Sequence, residues 1–200
     1  MARDYGNSAT LMKEASDMEP EITLSRPIVL VGMMGAGKSA IGKWLADRLG
    51  VSFVDADAEI EAAAGMTIEE IFATLGEPEF RRGEREVIRR LLAGPPGIIA
   101  TGGGAWMDPE TRRAVAERGI SIWLRADFSV LWARVSRRTH RPLLKNADPQ
   151  GTLQRLMETR YPVYAEADVT IESDNGPKEA TGQRVLDAIA SLFHEKEVAT

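Results

Sequence analysis

Residues 32–39, Gly-Met-Met-Gly-Ala-Gly-Lys-Ser, follow the spacing Gly-x-x-x-x-Gly-Lys-Ser, with Gly32, Gly37, Lys38 and Ser39 in its fixed positions. Each residue type has its own task on a nucleoside triphosphate. Glycine lets the backbone turn tightly, so that the N–H groups of Gly35, Ala36, Gly37, Lys38, Ser39 and Ala40 can face phosphate oxygens. Lys38 brings a point charge to the β- and γ-phosphates, and the Ser39 hydroxyl is an oxygen ligand for Mg²⁺. Two acids follow at i, i+2, Asp55 and Asp57, at the end of a short apolar run. In extended structure that spacing puts both on one face. One could hold Mg²⁺ and the other orient a substrate hydroxyl or take its proton. The alternative for Asp57 is to cap a helix starting near residue 58.

Three consecutive glycines, Gly102, Gly103 and Gly104, close another apolar run. A simple turn seldom needs all three, whereas close backbone approach to a ligand does. Arg81, Arg141 and Arg160 are the cations that could neutralise an anionic substrate or a transferring phosphoryl group. Each also has an ordinary explanation. Arg81 can pair with Glu84 on a solvated helix face, Arg141 sits in an aperiodic polar stretch, and Arg160 can offset a helix dipole. His140 and His194 read as surface residues, and Trp44, Trp106, Trp123 and Trp132 as packing residues.

The elements that must position these residues follow from periodicity. Short apolar runs at 28–31, 52–54, 97–100, 121–124 and 169–171 alternate with amphipathic segments at 38–49, 58–64, 68–75, 77–92, 109–117, 130–137, 153–161 and 178–194. Such alternation predicts a parallel sheet covered by helices, with strand ends converging on a binding crevice. Gly50, Gly65, Gly76, Gly94 and Gly119 fall at expected helix ends, and Thr67 with Glu70 has the spacing of a capping box. Residues 1–26 read as a flexible polar leader, in which 13–18 could form a short helix, and 137–151 as a lid. A net charge of −5 argues against a nucleic-acid partner, and no apolar run approaches membrane-spanning length. The absence of cysteine excludes disulfides and thiolate chemistry and fits a reducing cytoplasm; a monomer is expected.

Taken in order, these motifs make the chain resemble shikimate kinase over about residues 28–190. The carriers are 32–39, the run Phe53-Val-Asp-Ala-Asp-Ala-Glu-Ile-Glu61, Phe80-Arg81 with Glu84, residues 100–104, Arg141-Pro-Leu-Leu144, and Glu158-Thr-Arg160 followed by Tyr164. The resemblance implies a three-layer P-loop kinase fold: a five-stranded parallel sheet in the nucleoside-monophosphate-kinase style, with a lid and a substrate-binding subdomain at 57–84. It implies ATP and shikimate as reactants with Mg²⁺, the product being shikimate 3-phosphate on the route to chorismate and aromatic amino acids. Asp57 would contact the ring hydroxyls as base or orienting acceptor, Arg81 and Arg160 would grip the carboxylate, and Gly103 and Gly104 would offer N–H groups. Asp55 would organise Mg²⁺ beside Ser39, Arg141 would close onto the phosphoryl group, and Arg134 would lie beside adenine. Ala40 departs from the family, which commonly has a hydroxyl residue there, and the lid also holds Arg137, Arg138 and Lys145. A kinase for gluconate or a nucleoside monophosphate would not need all these residues jointly. A GTPase-like switch would need an Asn-Lys-x-Asp guanine reader, which the sequence lacks.

Overall fold

The computed structural model describes residues 22–137 and 147–198. The apolar runs form strands β1 (Ile28–Val31), β2 (Phe53–Asp55), β3 (Ile98–Ala100), β4 (Ile120–Arg125) and β5 (Val169–Glu172). These make one sheet in the order β2-β3-β1-β4-β5, every pair parallel. β1 is central and wholly buried, its Val29 opposite Ile99 on one side and Ser121 on the other. Parallel neighbours need long crossovers. The helices that supply them are α1 (Lys38–Leu49), α2 (Ala56–Ala64), α3 (Ile68–Thr74), α4 (Gly76–Leu92), α5 (Pro109–Arg118), α6 (Phe128–Val135), α7 (Pro149–Tyr164) and α8 (Lys178–Val198). From β1 the chain passes over β3 to reach β2, and later crosses to β4 on the opposite side. The connections diverge at the carboxyl end of β1, where such sheets open a crevice.

The main core packs both sheet faces through residues such as Leu30, Ile41, Leu45, Ile98, Leu131 and Ile189. A second, smaller core gathers Ile60, Ile71, Phe80 and Val87 from α2, α3 and α4. That cluster makes the excursion between β2 and β3 a compact body of its own, and this excursion carries Asp57, Arg81 and Glu84. Trp106 and Trp123 are buried in the main core, in line with a packing role. No helix among the described residues is long and apolar enough to cross a membrane.

Helix boundaries depart from the periodic pattern where a cap decides them. The Asp55 side chain accepts a hydrogen bond from the Asp57 N–H, so α2 begins at Ala56 and Asp55, not Asp57, is its cap. The Thr67–Glu70 capping box forms as its spacing predicts. Gly76 does not end a helix but opens α4. Asp148 caps α7 with Pro149 in the first turn, so this helix starts within the stretch read as a lid. At its other end it runs through Pro162 to Tyr164, three residues past the expected stop. Residues 1–21 and 138–146, including the expected helix at 13–18, His140 and Arg141, lie outside the described residues.

Candidate active site

Val31 ends β1 in the core, and the loop that follows is built on glycine. Gly32, Gly35 and Gly37 have φ of 137°, 85° and 98°, a region that L side chains rarely adopt. The Ala36 N–H donates to the Met33 carbonyl at 3.1 Å, closing the turn. α1 then starts without a side-chain cap and without an acid in its first turn, so the positive end of its dipole faces the loop. Lys38 Nζ lies across this cradle and donates to the Gly32 carbonyl at 2.8 Å and the Met33 carbonyl at 3.0 Å.

The end of β2 meets the same cradle. Ser39 Oγ donates to Asp55 Oδ2 at 2.8 Å, while Asp55 Oδ1 accepts the Asp57 N–H at 3.1 Å. One carboxylate thus both starts α2 and presents an oxygen beside the loop hydroxyl. Asp57 is aimed by the first turn of α2 rather than by an extended strand, which corrects the i, i+2 argument. Ala40 is exposed on the second residue behind Lys38 in α1.

The three glycines bring everything else together. A Cβ on Gly102 would lie 2.5 Å from Asp57 Oδ1 and 3.2 Å from Glu84 Oε1. On Gly104 it would lie 2.7 Å from Arg81 Nη1, and on Gly103 it would be 3.5 Å from both Arg160 Nη1 and the Met34 nitrogen. The loop therefore touches the acid of α2, the cations of α4 and α7, and the phosphate cradle at once. Only residues without side chains leave room for that approach. Among the described residues, the Gly103 and Gly104 N–H groups have no protein acceptor.

Arg81 is fixed by two acids of its own helix. Its Nη1 donates to Glu84 Oε2 at 2.7 Å, while Nε and Nη2 reach Glu77 Oε1 at 3.3 and 3.2 Å. Glu84 is only 2 % exposed, which overturns its reading as a solvated-face partner. Burial pushes its carboxyl above the ordinary value of 4.5, opposed by the Arg81 ion pair and reinforced by the nearby Asp57. The sequence did hold a sign of this: Phe80, Glu84, Val87 and Ile88 form one helical stripe, and Glu84 is its lone acid. A further clamp holds the body in register, Arg85 Nη1 meeting the Asp108 cap of α5 at 2.7 Å.

Arg160, on α7, donates to the Gly103 carbonyl at 3.0 Å, and the Tyr164 hydroxyl donates to the same oxygen. On the opposite flank, Arg134 donates to the Gly35 carbonyl at 2.9 Å, to Ser173 Oγ at 3.2 Å and to the Asp174 carbonyl. Ser173 Oγ in turn donates to the Ala36 carbonyl at 2.8 Å. Arg134 thereby ties the cradle to the end of β5, and burial lowers its pKa below the usual arginine value. Sequence reasoning missed Ser173, which no motif marks.

Three ligand regions adjoin one another. The cradle suits a polyphosphate, and the Ser39–Asp55 pair offers hard oxygen ligands of the kind Mg²⁺ takes. The space bounded by Asp57, Arg81, Arg160 and the glycine N–H groups suits a small molecule with hydroxyl groups and an anionic end. Among the described residues no group of three or more acid or histidine side chains could enclose a metal. A metal here would keep water and phosphate ligands, as Mg²⁺ does.

Comparison with known proteins agrees with this geometry. The profile of the shikimate kinase family matches residues 34–190. A shikimate kinase of Paramagnetospirillum magneticum is 56 % identical over 170 residues, 85 % of this chain and 87 % of that one. One from Rhodopseudomonas palustris is 53 % identical over 183 residues, covering 90 % and 88 %. Among solved structures, shikimate kinase from Acinetobacter baumannii in complex with shikimate superposes with a TM-score of 0.80 at 39 % identity, covering 83 % and 93 %.

Proposed function

The chain belongs to the shikimate kinase family, and on that premise we propose which of its residues hold each reactant. As a shikimate kinase it transfers the γ-phosphoryl group of ATP to the 3-hydroxyl of shikimate, giving shikimate 3-phosphate and ADP. The observation that carries the assignment is the contact of Gly102, Gly103 and Gly104 with Asp57, Arg81, Arg160 and the phosphate loop together.

ATP is held by the N–H groups of Gly35, Ala36, Gly37, Lys38, Ser39 and Ala40, with its adenine on the Arg134 side. Lys38 leaves the Gly32 and Met33 carbonyls to meet the β- and γ-phosphates. Ser39 and Asp55 are the residues that would hold Mg²⁺, through oxygen or intervening water. When bound, that ion supplies neutralisation of phosphate charge. Arg141 adds a cation from the segment after α6.

Shikimate lies against the glycine loop with its carboxylate between Arg81 and Arg160, whose planar guanidinium groups match a planar anion. Arg81 already offers one guanidinium edge to Glu77, a mostly exposed side chain. A surface ion pair of this kind contributes little, so a substrate carboxylate can displace Glu77 while Glu84 keeps the guanidinium in place. Asp57 accepts the hydrogen bond of the 3-hydroxyl and orients, or removes, its proton. In-line transfer then asks chiefly for positioning and charge neutralisation, which this constellation supplies.

The test is an ADP-release assay with shikimate, gluconate and nucleoside monophosphates as acceptors. Shikimate alone should stimulate turnover, and Asp57→Asn should cut kcat at least about a hundredfold with ATP affinity retained. Stimulation by another acceptor and not by shikimate would overturn the substrate. Loss of ATP affinity in Asp57→Asn would make the residue a metal ligand instead.

A further inference from the structure

Tyr164 is fully buried, yet its hydroxyl reaches the glycine loop. It donates to the Gly103 carbonyl and sits 3.9 Å from the Met33 sulfur, so it contacts both the glycine loop and the phosphate loop. Its ring packs near Trp123 and Tyr161, with centroids 5.9 and 6.3 Å away, which leaves the hydroxyl little freedom. Burial raises its pKa to about 12, so it remains a proton donor throughout the neutral range.

The Gly103 carbonyl has a second donor, Arg160 Nη1 at 3.0 Å. A carbonyl oxygen has two lone pairs and can take both. In a trans peptide the C=O of residue 103 and the N–H of residue 104 point in opposite directions. Fixing that oxygen on the α7 side therefore fixes the Gly104 N–H on the opposite side of the peptide, in a residue that packs against the Arg81 guanidinium.

We propose that Tyr164 is a positioning residue for the acceptor substrate: its hydroxyl holds the Gly103–Gly104 peptide so that the Gly104 N–H faces the substrate. It also keeps the Gly103 oxygen satisfied when Arg160 turns from that oxygen to the substrate carboxylate. This second half rests on the assignment of Arg160 given above. Without the hydroxyl, Arg160 would have to choose between the loop and the substrate, and the peptide would be free to tilt.

Tyr164→Phe tests this, because it keeps the ring and removes only the oxygen. The KM for shikimate should rise about three- to tenfold, the range expected for one lost hydrogen bond, with kcat, the KM for ATP and ADP affinity within about twofold. An unchanged KM for shikimate overturns the proposal. So does a parallel loss of ADP affinity or of folding, which would make Tyr164 a packing residue. Arg160→Ala and the neutral carboxamide of shikimate separate this from the carboxylate assignment. The Arg160→Ala penalty should shrink with the carboxamide, whereas the Tyr164→Phe penalty, acting through a peptide N–H, should persist. If Arg160→Ala leaves the KM for shikimate unchanged, the carboxylate assignment fails and the hand-off fails with it. The peptide-holding role is then judged on Tyr164→Phe alone.

Discussion

Replacing Gly102 by alanine perturbs the acceptor site without removing a functional group. The new methyl would lie 2.5 Å from Asp57 Oδ1 and 3.2 Å from Glu84 Oε1. Relief to an ordinary contact of 3.4 Å asks the Asp57 carboxylate to move by about 0.9 Å. Glu84, buried and bonded to Arg81, needs to yield far less. Asp57 is the softer partner, because its carboxylate ends a half-buried side chain in the first turn of α2. The stability cost should therefore stay at about 1 kcal/mol, at the low end for added core volume. The catalytic cost should be much larger, since a misplacement of about 1 Å at a reacting group costs on the order of a hundredfold. With saturating ATP and shikimate, Gly102→Ala should show kcat lowered roughly 30- to 300-fold. ADP affinity by calorimetry should be unchanged, because the methyl is on the acceptor side of the loop. A kcat within threefold of the parent would mean that Asp57 moves without consequence or does not handle the hydroxyl.

Two other perturbations probe the neighbours of that loop. Glu84 has a folded-state pKa raised above its ordinary 4.5, so the stability it allows is complete below about pH 4.5 and lost as pH rises through the folded value. Arg81→Ala removes the ion pair that opposes this rise, so its deficit in thermal midpoint should be greater at pH 8 than at pH 5, and Glu84→Gln added to it should flatten the difference. An equal deficit at both pH values would show that Glu84 is not the cause. Ser39→Ala should raise the Mg²⁺ concentration for half-maximal rate on the order of tenfold, while the Asp55 cap keeps α2 and the thermal midpoint intact. An unchanged Mg²⁺ requirement would remove Ser39 from the metal site.

The sequence made the donor end readable because its signal is local. A phosphate loop needs glycine at fixed offsets between a strand and a helix, and all three parts lie within consecutive residues. The parallel sheet was readable for a similar reason, its central strands β1, β3 and β4 being short, largely apolar buried runs. Helix starts were harder, since capping depends on which of two acids turns back to the backbone, and Asp55 took the role open to Asp57. Helix α7 passed its expected stop because proline costs one hydrogen bond, and packing of Tyr164 and Tyr161 against the core outweighs that loss. Glu84 and Tyr164 were present in the motifs but gained roles only through contacts. Glu84 lies three residues from Arg81, yet Gly102 and Asp57, which approach its carboxylate, are distant in sequence. Tyr164 is 61 residues from the carbonyl it holds, a separation that no local pattern records.

The most direct measurement is a crystal structure of the protein with ADP, Mg²⁺ and shikimate. An Asp57 carboxylate oxygen should lie within about 3.2 Å of the shikimate 3-hydroxyl, with the carboxylate of shikimate held between Arg81 and Arg160. A shikimate whose 3-hydroxyl faces away from Asp57, or an Asp57 that ligates the metal directly, would contradict it.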